Sequence, residues 1–471
     1  MSISEEDTTV LTERVGIVGV VALVVGNAVS IPIFVLPGPL AGSVGPGLIV
    51  AVVLAAAPAF LAVLYNAQLG SAMPVAGGLY VYITRLIAPF WGFLVPFSLP
   101  IVTWAALLFA AIGFAEYVRF FVDLPVAPLI YAFLVFVLLV NLLGIKAVAR
   151  AQILFVVMLF LSIGLFIIPG IFAVDTTNYT PVFPNGLGPL GLAFVALYYP
   201  YLGFGLLTEL GEEIENPGKT IPLALVSGVI AVAVIYLLFV SVLVGVMPWR
   251  QLGETEAAVA VASREFLPWW GSSFVAAGAF FAVLTTVNTT LLVSSRTVMR
   301  AARDGILPER LSKIHPRFGT PYVSILLLGV PPFFIAAFIQ EEVIGLSVFI
   351  ALATLTAMFF SAIALWNLPV EFPDHYQNAT LRLRRYRGLL FAVVSGMLVS
   401  AGMWVVTLTR LPIAGLFLVG WFGIGYVYYR YKFRKEGDDM GELYMRMVTL
   451  DEHEEAFAEE QTYEDIEEEA D

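Results

Sequence analysis

The groups able to do chemistry in this chain gather at two interruptions of otherwise apolar runs. The first is "GNAVSIPIFVLPG" (residues 26–38), where Gly26, Asn27, Ser30 and Pro32 crowd into seven positions; the second is "YYPYLGFG", ending at Gly205. Backbone N–H and C=O groups released from a helix inside a membrane must line a cavity or meet a partner. A helix restarting near Pro32 turns free N–H groups and its positive dipole end toward an anion. Proline suits such a first turn, where its missing N–H costs little. A helix ending near Asn27 leaves bare carbonyls for a cation or an ammonium group. A zwitterion fits both. Kinks made only for packing are the plainer alternative, and breaks at corresponding places in two halves weigh against it.

Titratable groups add little. His315, His375 and His453 fall in loops or the tail without metal-ligand spacing, and there is no cysteine for a disulfide, a thiol reaction or a metal. The first, second, fourth, fifth, seventh, ninth and tenth apolar runs carry no acid or base in their interiors. A proton relay or a site for a cationic solute usually shows one. The expected pocket is therefore neutral and aromatic, lined by Phe34, Trp104, Tyr198, Tyr199, Tyr201 and Phe204. "GFG" at 203–205 lacks the pattern of a nucleotide loop. Arg296, Arg300, Arg303 and Arg310, just past the eighth run, read as topology and lipid-headgroup contacts rather than a nucleic-acid site. Asn178, in "NYT", is a glycosylation sequon in an external loop.

The elements that must hold these groups follow from hydropathy. With 60% hydrophobic and 13% charged residues and a mean hydropathy of +0.91, the chain reads as an all-α integral membrane protein. Runs of spanning length, about 20 residues, are expected at 14–36, 47–70, 89–113, 126–144, 147–172, 188–209, 222–246, 271–296, 322–339, 343–366, 388–408 and 411–431. With the N-terminus inside, only Arg119, Arg250, Arg264 and Arg410 of the 24 Lys and Arg fall outside, as the positive-inside rule asks. Both termini are then cytoplasmic and the membrane is the plasma membrane.

Halves of five spans invert topology. The expected layout is a segment 1–13 and a core 14–366 of two inverted repeats (about 14–172 and 188–366), with the first and sixth of its ten helices broken. Two added helices at 388–431 bring the total to twelve transmembrane helices, and an acidic tail follows at 436–471. That tail holds 16 Asp and Glu against Arg446 alone and accounts for the net charge of −12; it reads as a solvated segment. The start, MSISEEDTTVLT, has no basic n-region, so no signal peptide is expected.

Four stretches carry a family resemblance: "GNAVSIPIFVLPG", "PVAGGLYVYITRLIAPFWGF" (74–93), "YLGFGLLTELGEEIENPGKTIPLAL" (201–225) and "SSRTVMRAARDGILPERLSKIHPRFGTPY" (294–322). Through them the chain resembles the amino acid–polyamine–organocation transporters over nearly its whole length, tails excepted. The resemblance implies the five-plus-five fold with two appended helices, alternating access, no cofactor and no enzymatic activity. That family usually has Gly-Ser-Gly-Ile-Phe at the first break, where amides hold a substrate carboxylate. Here Ser30-Ile31-Pro32-Ile33-Phe34 lacks both glycines and one amide, leaving the N–H groups of Ser30 and Ile31. The fifth-span lysine and the acid at Gly205 that some relatives carry are absent, which disfavours proton coupling.

A second likeness concerns the coupling ion. "GNAV" (26–29) and "FAVLTT" (281–286) are similar to segments of the neurotransmitter:sodium symporters. Carried over residue by residue, the sodium ligands would be the carbonyls of Gly26, Val29 and Ala282 and the hydroxyls of Thr285 and Thr286. A hard cation suits such neutral oxygens. Threonines in membrane helices also bond their own backbone, so that alternative stays open.

The expected function is secondary transport (symport) of small neutral amino acids or close analogues, with sodium as coupling ion. The substrate contacts are Asn27, Ala28, Ser30, Ile31, Trp104, Tyr199, Tyr201, Gly203 and Phe204. The partners are a small solute and the lipid bilayer, with no nucleic acid; the sequence is silent on oligomeric state. Alternatives are an uncoupled exchanger or uniporter of amines or organic acids, and a transporter-like nutrient sensor acting through its tail. An intramembrane enzyme would need a nucleophile–base pair that the spans do not offer.

Overall fold

The computed structural model describes residue 25 and residues 28–73, 78–144, 146–204, 217–303, 305–339, 342–383 and 385–435. Every regular element among these residues is helical. In chain order the helices are α1 (Pro32–Val35), α2 (Pro37–Val44), α3 (Leu48–Ala72), α4 (Gly78–Leu86), α5 (Pro89–Arg119), α6 (Val126–Leu143), α7 (Lys146–Gly170), α8 (Leu190–Ala196), α9 (Pro217–Val246), α10 (Trp249–Glu254), α11 (Ala258–Ser263), α12 (Trp269–Arg303), α13 (Tyr322–Gly329), α14 (Pro331–Ile335), α15 (Val343–Glu371), α16 (Pro373–Asn378), α17 (Leu390–Arg410) and α18 (Pro412–Lys435). Among the described residues, nine stretches are long and apolar enough to cross a membrane, and shorter apolar helices stand at the sixth and ninth expected spans.

Several boundaries differ from expectation. The first span was expected to end at residue 36 but continues helically to Val44. Pro37 takes the first position of α2, where no N–H is needed, and Gly45, at φ +78°, ends the run. Helices α5 and α12 pass their expected ends, 113 and 296, to reach Arg119 and Arg303. A hydropathy window closes at the first charges, whereas a helix continues where long charged side chains reach the interface. Short helices α4, α10, α11 and α16 were not foreseen. The acids at the inner end of the sixth span, Glu209, Glu212 and Glu213, and the 436–471 tail lie outside the described residues.

Inside lipid, helix association has little hydrophobic drive and depends on close packing of small residues. On α3, Ala51, Ala55 and Ala59 recur every fourth position and are buried, while Val53, Leu54 and Phe60 are exposed. Helix α3 packs most extensively along α9, and α12 packs on both α5 and α7. On α12 the buried stripe is Val275, Ala279, Ala282 and Thr286, the spacing of one helix face. Gly278 belongs to that face: a Cβ there would collide with Ser162 of α7 and stand 3.2 Å from Phe34.

The two ends of the bundle are tied differently. At the arginine-rich end, Val298, Ala301 and Ala302 of α12 cluster with Tyr80, Phe93 and Leu94. There Lys432 donates to Gly305 O, and Tyr428 Oη donates to Ile306 O at 3.2 Å. At the opposite end, α10 and α11 seat on α2. Gly42 faces Gly253 so closely that a Cβ on Gly42 would stand 2.6 Å from Gly253 Cα. Arg119, at the end of α5, donates to Glu256 at 2.5 Å, and Arg264 lies over the Phe120 ring at 4.1 Å.

Candidate functional site

The first break is a redirection of hydrogen bonds. Val29 N–H closes the preceding turn on Val25 O at 2.7 Å. Ser30 N–H then turns to Ala28 O at 3.0 Å, and Ile31 N–H crosses to Thr286 Oγ1 on α12 at 3.5 Å. Pro32 has no N–H, and Ile33 N–H donates to Ser30 O at 3.2 Å. In an unbroken helix, positions 30–33 would serve the carbonyls of residues 26–29. Three amides are turned elsewhere and the fourth does not exist, so the Val29 carbonyl loses its helical donor. Gly26 and Asn27 themselves lie outside the described residues. Ala28, Val29, Ser30 and Ile31 are all buried.

Opposite this break, α12 presents a cluster of neutral oxygens. Thr285 Oγ1 and Thr286 Oγ1 both donate to Ala282 O, at 2.9 and 2.7 Å. Each hydroxyl oxygen still has acceptor capacity after donating. One turn on, Thr289 and Thr290 make the same kind of bond to Thr285 O and Thr286 O, at 2.8 and 2.7 Å. The break is held from the other side by α5. Gly113 leaves room for Ile31 and Val35, whose side-chain atoms would stand 2.9 and 2.6 Å from a Cβ there. Tyr117 Oη donates to Phe34 O at 3.0 Å, and the Phe34 ring meets Tyr117 and Phe239 edge-on, both at 5.9 Å. Tyr117→Phe, which orphans that carbonyl, is expected to lower stability by about 1 kcal/mol, measured by thermal unfolding in detergent.

The second break begins where α8 ends at Ala196; residues Tyr199–Phe204 continue as a tighter 3₁₀ turn around Pro200. Gly203 sits in this turn. Tyr198, Tyr201 and Phe204 line a cavity of about 50 Å³ together with Asn66 of α3 and Thr354 and Met358 of α15. That volume suits only a few waters. Tyr199 stands edge-on to Phe109 at 5.2 Å, and Tyr201 lies 6.4 Å from both Phe204 and Tyr236.

A family model described as amino acid permease matches residues 15–377, which take in both breaks and all of α12. The chain belongs to the amino acid permease family. Among its relatives, the branched-chain amino acid permease BcaP of Bacillus subtilis is 25% identical over 77% of this chain and 82% of its own. The methylthioribose transporter of the same bacterium is 28% identical over 86% of this chain and 90% of its own. The vacuolar cationic amino acid transporter 8 of Arabidopsis thaliana is 24% identical over 80% of this chain and 66% of its own. The protein is a multi-pass membrane transporter of amino acids or their analogues.

The permease does not bring every expected residue to the breaks. Trp104 points elsewhere: its indole N–H donates to Leu327 O at 3.0 Å, and its ring meets Trp421 at 5.9 Å. Its neighbour Thr103 takes the inward position and donates to Ser294 Oγ on α12 at 3.0 Å. Successive residues lie about 100° apart around a helix, so both cannot face α12. The sequon at Asn178 is also engaged, its side-chain amide donating to Gly245 O at 2.8 Å in a half-buried position. His375 Nδ1 lies 3.0 Å from Ala72 O, and His315 Nδ1 accepts from Arg317 N–H at 3.2 Å. Sequence reasoning missed Tyr236, which stands beside Tyr201 from α9. Its signal was present: it is the one tyrosine in that 30-residue helix.

Proposed function

We propose that this permease is a sodium-coupled symporter of small neutral amino acids or close analogues, working by alternating access in the plasma membrane with both termini cytoplasmic. One observation carries the reading: Ile31 N–H, freed by the first break, reaches Thr286 Oγ1 beside the Ala282 carbonyl. Backbone groups of the first break thus lie next to neutral oxygens of α12, as a joint solute and cation site requires. The solute lies between Asn27, Ala28, Ser30 and Ile31 on one side and Tyr199, Tyr201, Gly203 and Phe204 on the other. Sodium is held by Gly26, Val29, Ala282, Thr285 and Thr286, a set that rests on two short segments similar to the neurotransmitter:sodium symporters. The relatives named for branched-chain amino acids and methylthioribose agree with a pocket that has no charged wall.

Packing supports the five-plus-five repeat. The second span packs on the seventh and the third on the eighth, while the fifth-on-eighth contact is mirrored by tenth-on-third. Exchanging the halves of such a repeat interchanges these pairs.

A second reading, uncoupled exchange, is favoured by Thr289 and Thr290, which bond their own helix as Thr285 and Thr286 do. Counterflow of labelled neutral amino acids in proteoliposomes, in sodium and then in potassium, separates the two. Accumulation only in sodium is expected; equal accumulation in both salts defeats coupling and leaves transport standing.

A further inference from the structure

Buried tyrosines in this bundle normally give their hydroxyl an acceptor. Tyr65 donates to Ala392 O and Tyr117 to Phe34 O, while Tyr198 Oη lies 3.6 Å from Met358 Sδ. Three tyrosines break the pattern, and they stand together. The hydroxyls of Tyr199, Tyr201 and Tyr236 are buried with no hydrogen-bond partner among the described residues. Tyr201 and Tyr236 lie ring to ring at 6.4 Å, and Tyr199 stands two residues before Tyr201 in the same 3₁₀ turn. Tyr201 also borders the cavity at the second break.

A ring used only for packing would serve as well as phenylalanine. A buried hydroxyl without a partner costs free energy until water or a ligand meets it. We propose that Tyr199, Tyr201 and Tyr236 form one subsite that takes an uncharged, hydroxyl-bearing part of the solute. This rests on the reading that the solute lies between the two breaks.

The chemistry favours a hydroxyl over a charge. A phenol both donates and accepts, and so does an aliphatic O–H, so a small ring of them closes without stray hydrogens. A carboxylate in the same place would be a buried charge, and the interiors of α3, α8 and α9 hold no charged residue to balance it. The amides of Ser30 and Ile31 are already bonded to Ala28 O and Thr286 Oγ1. The hydroxyl has two possible sources: the side chain of a hydroxylated amino acid, or a pentose ring.

Competition against counterflow in proteoliposomes tests this with matched pairs: threonine against its isostere valine, and methylthio-substituted ribose against its 2,3-dideoxy form. The hydroxylated member of at least one pair is expected to compete about tenfold better or more. Which pair shows the preference identifies the source. Tyr236→Phe is expected to collapse that preference to within about threefold, without lowering Tm, because the hydroxyl removed has no partner among the described residues. Tyr117→Phe, which removes a satisfied bond, lowers Tm and keeps the preference. Equal competition within both pairs overturns the subsite. So does a Tyr236→Phe protein in which every competitor weakens alike, the signature of a carboxylate contact or of packing. Absence of counterflow with every solute overturns the transport reading itself, and the subsite with it.

Discussion

Valine at both Thr285 and Thr286 is expected to raise the sodium concentration for half-maximal transport by at least about tenfold, or to abolish the sodium stimulation. Valine keeps the shape and removes only the hydroxyls, and tenfold corresponds to about 1.4 kcal/mol. The fold should tolerate the change, since both hydroxyls donate within their own helix to Ala282 O. Thr286 has one further tie, as acceptor for Ile31 N–H, so Thr286→Val also disturbs the break. Thr285→Val leaves the Ile31–Thr286 contact in place, so a loss of sodium response there does not come from disturbing that contact. Initial uptake measured across a sodium titration reads the effect. A double variant that retains the wild-type sodium dependence would mean that these threonines only bond their own backbone, as Thr289 and Thr290 do.

The second large effect is expected at a contact far from the solute. Gly42→Val should reduce transport at least about tenfold, because α2 and α10 meet backbone to backbone at Gly42 and Gly253. No rotamer relieves a Cβ placed 2.6 Å from a main-chain carbon. The helices must separate, and the closure they make at that end of the bundle is lost. The chain has no cysteine, so a single introduced thiol reports cleanly. Ala258→Cys is suitable, being 4% exposed and tucked beside Gly38 of α2. Membrane-impermeant maleimide should label it much faster when Gly42→Val is also present. Unchanged labelling together with unchanged transport would show that this contact is no part of the working cycle.

What the sequence revealed follows from how lipid reshapes its signals. Most spans were legible because apolar length suffices, and the two breaks were legible because Gly, Pro and polar residues are conspicuous in such runs. Facing was not legible. In a soluble helix the polar side marks the outside, but α5 and α9 are apolar around most of their circumference. Hence the sequence suggests Trp104 for the pocket, where the structure turns Thr103 toward α12 and Trp104 toward Leu327, and it gives no facing for Tyr236. Short helices α10 and α11 carry no spanning signal, and their docking on α2 depends on two glycines that look unremarkable alone.

Helix α12 runs unbroken from Trp269 to Arg303, and Thr286 is its middle residue, with 17 on either side. At 1.5 Å per residue the rod is roughly 52 Å long, so an ion held at Thr286 would sit about halfway through the membrane. Moving one charge across the full thickness involves about 2.3 kcal/mol per 100 mV. An ion stopping halfway would meet about half of that on entry and the rest on leaving. For the sodium-coupled reading, the affinity for sodium entering from outside should then rise about sevenfold for each additional 100 mV of inside-negative potential. The cell's voltage would act on loading and release in nearly equal measure.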